Sequence, residues 1–197
     1  MKGNSLTIRS LLICFFAMTL TGCGAVVVGG AAMTAKVAHD RRSAGTFVED
    51  QEIFLKALEI RNGDEQLRQN SDIDIDVFNL QVLLTGEAAN KDMVEAFRQR
   101  VAAIPRVRAV FNEVAIGAES TWGEATGDAY LTTKVKLALF DVQIKGFDPT
   151  RVKVTSSQGS VYLMGLLTPT EAEAVTEKTR FVSGVKRVVK LFEYIDE

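Results

Sequence analysis

The sequence has few of the side chains on which enzymes and metal sites depend. Its 197 residues include 2 cysteines, 1 histidine and 3 prolines. The histidine, His39, lies in the polar stretch AKVAHDRRSAG, where a solvated linker residue is expected. Because its single histidine is expected in a linker, the chain has no plausible Ser-His-Asp or Cys-His catalytic residues. We therefore expect no enzymatic activity and no catalytic residues.

The apolar run at the N-terminus is too short to span a membrane. It covers the 10 residues from Leu11 to Leu20, which as a helix would reach about 15 Å, against a hydrocarbon core about 30 Å thick. Lys2 and Arg9 precede the run. A positive segment followed by a short apolar segment is typical of a secretory signal.

The run ends in LTGC, residues 20–23, which resembles the lipobox of bacterial lipoproteins. The resemblance implies cleavage after Gly22, which makes residues 1–22 a signal peptide. It also implies a diacylglycerol and an N-acyl chain such as palmitate on Cys23. Gly24, rather than an aspartate, follows the cysteine, which in enterobacterial-type sorting implies export to the outer membrane. The alternative is an ordinary secreted protein in which Cys23 has no special role.

Removal of the signal peptide would leave Cys23 as the only cysteine and a net charge of −4. One acylated cysteine can form neither a disulfide framework nor a cysteine-type zinc site, so we expect no metal and no cofactor besides the acyl chains. A general nucleic-acid binder is normally strongly basic, so nucleic acid is not an expected partner. The remaining length suits one ordinary domain or two small ones.

The rest of the chain contains one pattern twice. DIDIDVFNLQVLLTG (72–86) matches TRVKVTSSQGSVYLMG (150–165) at an offset of 79. Both segments alternate apolar and polar residues on either side of a turn, which predicts a β-hairpin with one buried face. The first turn lacks the glycine of the second, and Asn79 is the residue that can adopt a left-handed conformation there. The alternation places the aspartates of DIDID on the outer strand face, without the spacing of a calcium loop.

Helix-like segments lie on both sides of each hairpin. Those before the hairpins are 51–60 and 129–140, and those after them are 90–104 and 168–182. Asp128 is the expected N-cap of the helix at 129–140. For the last helix, the sequence predicts Thr168 as the N-cap, Pro169 at the first helical position and Glu171 completing a capping box. The apolar segments 103–116 and 182–195, at an offset of 78, close the two copies as strands.

The hairpin, the Leu-x-Gly motif, the helix and the terminal segment GVKRVVKLFEYI together resemble the BON domain. Two such domains behind a lipobox are similar to the dual-BON outer-membrane lipoproteins, and the resemblance extends to DRRSAGT and GEATGDAYLTTKVKLAL. It implies an α+β fold of two small α-β-β-α-β sandwich domains in tandem, each with a three-stranded mixed sheet and two helices. The expected parts after the signal peptide are a lipidated linker (23–47), the first BON domain (48–117), an interdomain linker (118–126) and the second BON domain (127–197).

The family resemblance also implies a function. It predicts a monomeric, non-enzymatic protein at the periplasmic face of the outer membrane that binds anionic phospholipid, such as phosphatidylglycerol or cardiolipin. It further implies a role in envelope integrity and enrichment at the division site. The alternative is a protein–protein adaptor in the periplasm that acts on outer-membrane assembly or on the regulation of peptidoglycan hydrolases.

The helix at 129–140 is the expected lipid contact. Tyr130, Lys134 and Leu137 share one stripe, which combines an amphipathic ring, a cation and an apolar side chain, as a membrane interface requires. Alternatively, Tyr130 and Leu137 pack against the first domain or its linker. A second stripe, at i, i+4 and i+8, is predicted to face the core: Leu131, Val135 and Leu139. The expected phospholipid-binding residues are Gly127, Asp128, Tyr130, Leu131, Thr132, Thr133, Lys134, Lys136 and Leu137.

The first copy serves as an internal control for this prediction. Its helix has Glu52, Lys56 and Glu59 at the positions of the lipid stripe, and anionic headgroups would repel such a face. The net charge is −5 over residues 46–117 and +1 over residues 127–197. We therefore expect the second copy to contact lipid, and the first to pack or to bind protein. Trp122 is either a further membrane contact or a plug in the interdomain linker.

Overall fold

The computed structural model describes residues 40–117 and 122–196, without the side chains of 122–126. The predicted signal peptide, the lipidated Cys23 and the side chain of Trp122 therefore lie outside the described residues. Residues Asp40–Glu197 form one compact unit. None of the helices in the described part of the chain is both long and apolar enough to cross a membrane.

The fold repeats one order of elements, and we refer to residues 40–117 as the first half and 122–196 as the second half. The first half contains α1 (Ala44–Gly63), α2 (Glu65–Asn70), β1 (Ser71–Phe78), β2 (Gln81–Ala88), α3 (Lys91–Ala102), β3 (Ala109–Asn112) and β4 (Ala115–Ile116). The second half contains α4 (Trp122–Leu139), a 3-10 turn (Pro149–Arg151), β5 (Lys153–Ser157), β6 (Ser160–Leu167), α5 (Pro169–Arg180) and β7 (Arg187–Tyr194). The predicted α+β class and the tandem arrangement of two similar α/β units are confirmed.

Each half has one mixed sheet. An antiparallel hairpin, β1–β2 or β5–β6, is extended by a parallel strand on the side of β2 or β6. In the second half that strand is the continuous β7. In the first half it is divided into β3 and β4, which pair with β2 in the same register, Gln81 with Ala109 and Glu87 with Ala115. The sheet of the first half therefore has four strands instead of three. The first half also has three helices instead of the predicted two, because the short α2 lies between α1 and β1.

The helices that open the two halves begin earlier than the sequence predicts. The N-cap of α1 is Ser43, whose Oγ accepts a hydrogen bond of 3.0 Å from the Thr46 amide. Helix α4 begins at Trp122, so Asp128 lies inside the helix and the prediction that it is the N-cap is wrong. For α5 the prediction is confirmed, because Thr168 and Glu171 form a capping box.

Each half has its own hydrophobic core between its helices and one face of its sheet. In β1 the predicted alternation is present, with Ile73 and Ile75 buried and Asp72 and Asp74 exposed. The first core includes Ile53, Ala57, Ile73, Ile75, Val82, Leu84, Val94, Phe97 and Val101. The second includes Leu131, Val135, Leu139, Val152, Val154, Val161, Leu163, Leu167 and Val175.

The central strands are buried on both faces, which corrects the prediction of hairpins with a single buried face. The face of β2 that carries Leu83 and the face of β6 that carries Tyr162 and Met164 pack together with Phe78 in a third cluster. The two sheets therefore pack face to face, and the helices cover their outer faces. The uninterrupted apolar run Val161–Met164 is typical of a strand covered on both sides.

Polar contacts surround this junction of the two sheets. Asp76 at the end of β1 accepts a hydrogen bond of 2.7 Å from Thr155, and the Lys153 Nζ lies 2.7 Å from its carboxylate. At another part of the junction, the Arg187 guanidinium lies 2.8 Å from the carboxylate of Glu113. These pairs orient the two halves around the apolar contact.

Two consecutive arginines before α1 bind to different halves, and we call the segment Asp40–Ser43 the arginine strap. Arg41 donates hydrogen bonds of 2.5 and 2.9 Å to the Glu171 carboxylate and one of 2.9 Å to the Leu166 carbonyl, all in the second half. Arg42 lies 2.6 Å from the Asp50 carboxylate and 4.0 Å from the centroid of the Phe78 ring, both in the first half. The strap therefore joins the halves at the point where the chain enters the compact unit.

Candidate functional site

Among its described side chains, from Gly127 onward, helix α4 presents two large apolar ones to solvent. The exposed fraction is 66% for Tyr130 and 65% for Leu137. The two residues are seven positions apart, or about two turns, and so lie on one side of the helix. The opposite side is buried in the core through Leu131, Val135 and Leu139, as the sequence predicts. The buried side chains therefore pack the helix against the core, while Tyr130 and Leu137 stay accessible to solvent.

Lys134 lies between the two exposed side chains along the helix. Its Nζ is 5.5 Å from the centroid of the Tyr130 ring, within cation–π distance, and it donates a hydrogen bond to the Ser183 carbonyl. A lysine ammonium group has three N–H donors. The contact with Ser183 positions the ammonium group beside the ring and uses one of these donors.

The other predicted lipid residues of α4 do not all share this face. Lys136 and Thr133 are exposed, and the Thr133 hydroxyl donates a hydrogen bond of 3.0 Å to the Ala129 carbonyl. Thr132 lies on the far side of the helix, beside a groove that Asp72 and Asp74 also line. Leu131 is buried. The accessible stripe, which we call the α4 face, consists of Tyr130, Lys134 and Leu137, with Thr133 and Lys136 beside it.

Asp128 has a structural role that the sequence analysis missed. Its carboxylate accepts hydrogen bonds of 2.7 and 3.1 Å from the amides of Gln158 and Gly159, in the β5–β6 turn. Both residues have positive φ, 52° and 78°, and form the two-residue turn between the paired strands. Their amides therefore do not take part in the hydrogen bonds of the hairpin ladder. Asp128 therefore supplies the acceptor that these two amides need.

The first half contains the same arrangement. The Asp50 carboxylate accepts hydrogen bonds of 2.8 and 2.7 Å from the amides of Asn79 and Leu80, which have φ values of 50° and 64°. Asn79 is left-handed, as predicted, and Leu80 is left-handed as well. Asp50 precedes Asp128 by 78 residues, the offset that relates the helices of the two copies. That repeat is the signal from which the role of Asp128 could have been found.

A groove of about 770 Å³ runs beside the α4 face. Gly127, Asp128, Tyr130 and Lys134 line its α4 side, and the other walls include Ile116, Gly159, Gly184 and Lys186. Glu87, which the sequence analysis also missed, is 6% exposed and lines the same groove. Its Oε1 accepts a hydrogen bond from the Gln158 side chain, while its Oε2 has no hydrogen-bond partner in the described part of the chain.

The corresponding face of α1 differs from the α4 face in carrying acidic side chains. Val48 and Leu55 are exposed on the same stripe as Glu52 and Glu59. The Lys56 Nζ lies 2.6 Å from the Glu52 carboxylate, and this hydrogen bond and charge lower the pKa of Glu52 below its ordinary value of 4.5. The lysine of this stripe is therefore paired with a neighbouring acid, and the face as a whole is acidic and apolar.

Comparisons with known proteins identify relatives along most of the chain. The sequence model of the BON domain matches residues 61–118 and 127–196. The outer membrane lipoprotein DolP of Haemophilus influenzae is 34% identical over 178 residues, which cover 90% of this chain and 91% of that protein. The 21 kDa hemolysin of Actinobacillus pleuropneumoniae is 32% identical over 157 residues, 79% of each chain.

Similarity to solved structures is weaker. The C-terminal domain of CdsD, a structural protein of the type III secretion system of Chlamydia trachomatis, covers 75% of this chain and 67% of its own. The sequence identity is 10% and the TM-score is 0.28, values too low to support an inference.

Proposed function

Because this chain belongs to the BON-domain family, as a two-domain relative of the outer membrane lipoprotein DolP, we propose that it is an outer-membrane lipoprotein that binds anionic phospholipid through the α4 face. Acyl chains on Cys23 anchor it at the periplasmic side of the membrane. The two BON domains, at 48–117 and 127–197, have no catalytic role. Binding supports envelope integrity, with enrichment at the division site.

The observation that carries the proposal is the exposure of Tyr130 and Leu137 on either side of a lysine, on a helix whose other face is fixed in a core. An exposed aromatic ring suits the headgroup level of a membrane, a lysine suits lipid phosphate, and a leucine suits the acyl boundary. The net charge, +1 over residues 127–197 against −5 over residues 46–117, favours the same surface.

The expected affinity of the α4 face alone is low. Each inserted apolar side chain contributes about 1–2 kcal/mol, and each lysine near an anionic surface contributes about 1 kcal/mol. Association costs consume much of this gain. The lipid anchor compensates, because it holds the α4 face near a membrane at a high effective concentration.

A vesicle titration tests the proposal. Residues 40–197, the compact unit, would be titrated with phosphatidylglycerol or cardiolipin vesicles and, for comparison, with neutral phosphatidylcholine vesicles, while backbone amide shifts are followed by NMR. We expect shifts in α4 with anionic vesicles only, and we expect Tyr130→Glu and Leu137→Glu to remove them.

The matched control is Leu55→Glu, because Leu55 is 55% exposed on the helix that corresponds to α4. This variant should bind anionic vesicles as the unmodified protein does. Absence of shifts in the unmodified protein, or equal losses in the Leu55 and Leu137 variants, would contradict the proposal.

One observation favours the adaptor function as a second candidate. The exposed stripe of α1 combines Val48 and Leu55 with Glu52 and Glu59, a face suited to a partner protein with apolar and basic side chains. Such a partner would belong to outer-membrane assembly or to the regulation of peptidoglycan hydrolases. If anionic vesicles cause no shifts, loss of envelope integrity in cells that carry Val48→Ser with Leu55→Ser would support this function.

A further inference from the structure

Phe181 is the most exposed large apolar side chain in the described part of the chain. It follows the last residue of α5, and 77% of its surface is accessible. The Arg180 guanidinium lies 5.3 Å from the centroid of its ring and 2.7 Å from the Glu177 carboxylate. An aromatic side chain this exposed contributes little to the hydrophobic core and is available to a binding partner.

Contacts on both sides of Phe181 hold it beside α4. Three residues earlier, the Lys178 Nζ lies 3.1 Å from the carboxylate of Asp141, just after the end of α4. Two residues later, the Ser183 carbonyl accepts the hydrogen bond from Lys134. Phe181 is therefore fixed next to the segment 134–141, which contains the exposed Leu137.

We propose that Phe181 inserts into the same anionic membrane surface as the α4 face, and that Arg180 binds a lipid phosphate beside it. This inference rests on the proposed function and extends it. The membrane-binding surface then has two elements, α4 and the C-terminal end of α5. Two separate anchoring points define the tilt of the protein on the bilayer, whereas one helix permits rotation about its axis.

The first half supports this assignment as an internal control. Helices α3 and α5 correspond at an offset of 78, which places Ala102 and Ala103 at the positions of Arg180 and Phe181. At the same offset, glutamates replace the two large apolar side chains Tyr130 and Leu137 of α4. Tyr130, Leu137 and Phe181 thus have no large apolar counterpart in the copy that has an acidic face.

Charge complementarity favours a lipid surface as the occupant. The Tyr130 and Phe181 rings each have a cation beside them, Lys134 at 5.5 Å from the Tyr130 centroid and Arg180 at 5.3 Å from the Phe181 centroid. Arg180 also pairs with Glu177, and the five N–H donors of a guanidinium allow it to bind a lipid phosphate at the same time. Aromatic rings at headgroup depth beside cations are the arrangement that binds anionic bilayers.

The test compares two exposed aromatic residues. Phe181→Ser and the control Tyr194→Ser, at a side chain that is 60% exposed on β7, would be made in residues 40–197. Partitioning onto phosphatidylglycerol vesicles would be measured by co-sedimentation. We expect roughly tenfold weaker partitioning for Phe181→Ser and a change below about twofold for Tyr194→Ser.

A second measurement reports insertion directly. With Trp122→Phe as background, Phe181→Trp should retain binding and give blue-shifted emission that brominated acyl chains quench. If the unmodified protein does not bind vesicles, the proposed function itself fails. If it binds and the Tyr130 variant does not, while Phe181→Ser binds normally and the fluorescence of the Phe181→Trp variant is unquenched, only the inference about Phe181 is overturned.

Discussion

Helices α1 and α4 occupy the same place in two copies of one fold, and their inner and outer faces have diverged to different extents. On the inner face, Ile53 and Ala57 of α1 correspond to Leu131 and Val135 of α4, and all four are buried. On the outer stripe, glutamates in α1 correspond to Tyr130 and Leu137 in α4. Core packing restricts the inner face to apolar residues of suitable size. The outer face has no such restriction, so a duplicated domain can acquire a new surface without losing its fold.

The same comparison applies to the carboxylates inside the two helices. Asp50 and Asp128 each accept hydrogen bonds from the two amides of a hairpin turn. Within the described residues, Asp50 differs in being paired with an arginine, Arg42, and in being almost fully buried, at 5% exposed. Asp50 and Asp128 therefore have the same local role but contribute differently to the free energy of unfolding.

The largest effect should come from removing these carboxylates. Asp50→Ala leaves two turn amides without an acceptor and leaves the buried Arg42 with Asp40 as its carboxylate partner, and we expect it to lower the free energy of unfolding by about 2–4 kcal/mol. Asp128→Ala affects two amides at a half-buried site, and we expect a loss of about 1–2 kcal/mol. Urea denaturation of residues 40–197 would measure both. Equal losses would show that the arginine strap adds no stability to the first half.

A smaller effect is expected from transferring the α4 face to α1. In the Tyr130→Glu and Leu137→Glu background, Glu52→Tyr with Glu59→Leu creates a similar apolar stripe around Lys56. We expect binding to phosphatidylglycerol vesicles to recover to within about tenfold of the unmodified protein, since two inserted side chains contribute about 2–4 kcal/mol.

The control for this transfer is Glu52→Gln with Glu59→Gln in the same background. It removes the acidic charge of α1 without adding apolar surface, so we expect it to restore little binding. Full recovery in the glutamine variant would show that charge alone distinguishes the two helices. No recovery in the Tyr and Leu variant would show that the second half supplies something besides the stripe, such as Phe181.

The smallest effect concerns pH and the arginine strap. Burial acts to raise the pKa of Glu171, but hydrogen bonds from Arg41 and the Thr168 amide, with the charges of Arg41 and Arg151, lower it below 4.5. Because the folded pKa is the lower one, the stabilisation is complete above pH 4.5 and is lost as the pH falls through the folded pKa. Glu171→Gln weakens the charge-assisted hydrogen bonds from Arg41 and should cost about 1–2 kcal/mol at pH 7, and much less in acid. Denaturation midpoints as a function of pH would measure this, and a pH-independent difference would contradict it.

Local features were predictable from the sequence. The α5 capping box depends on residues within four positions of each other, and the buried stripe of α4 depends on helical periodicity. The alternation in β1 and the repeated order of elements depend on the same short-range patterns. Each of these follows from the geometry of one helix or strand, which is why the sequence alone predicts it.

The remaining features depend on contacts between distant residues. Arg41 and Glu171 are 130 residues apart, and the second buried face of β2 exists only because another sheet covers it. Phe181 lies next to α4 because Lys178 contacts Asp141 and Ser183 contacts Lys134. Sequence periodicity does not indicate these two contacts. Asp128 was misassigned because an aspartate before an apolar helix pattern is typical of an N-cap, although the helix begins at Trp122.

The arginine strap also determines how mechanical load enters the molecule. A pull along the chain from a membrane-anchored N-terminus reaches Arg41 and Arg42 before it reaches α1, and these residues hold different halves. Tension is therefore shared between the two sheets at the point of entry and does not peel α1 away from the first core. Chain length upstream of Asp40 can change without altering this load path, whereas an insertion between Arg42 and Asp50 would separate Arg42 from Asp50 and leave Arg41 to transmit the load to the second half alone.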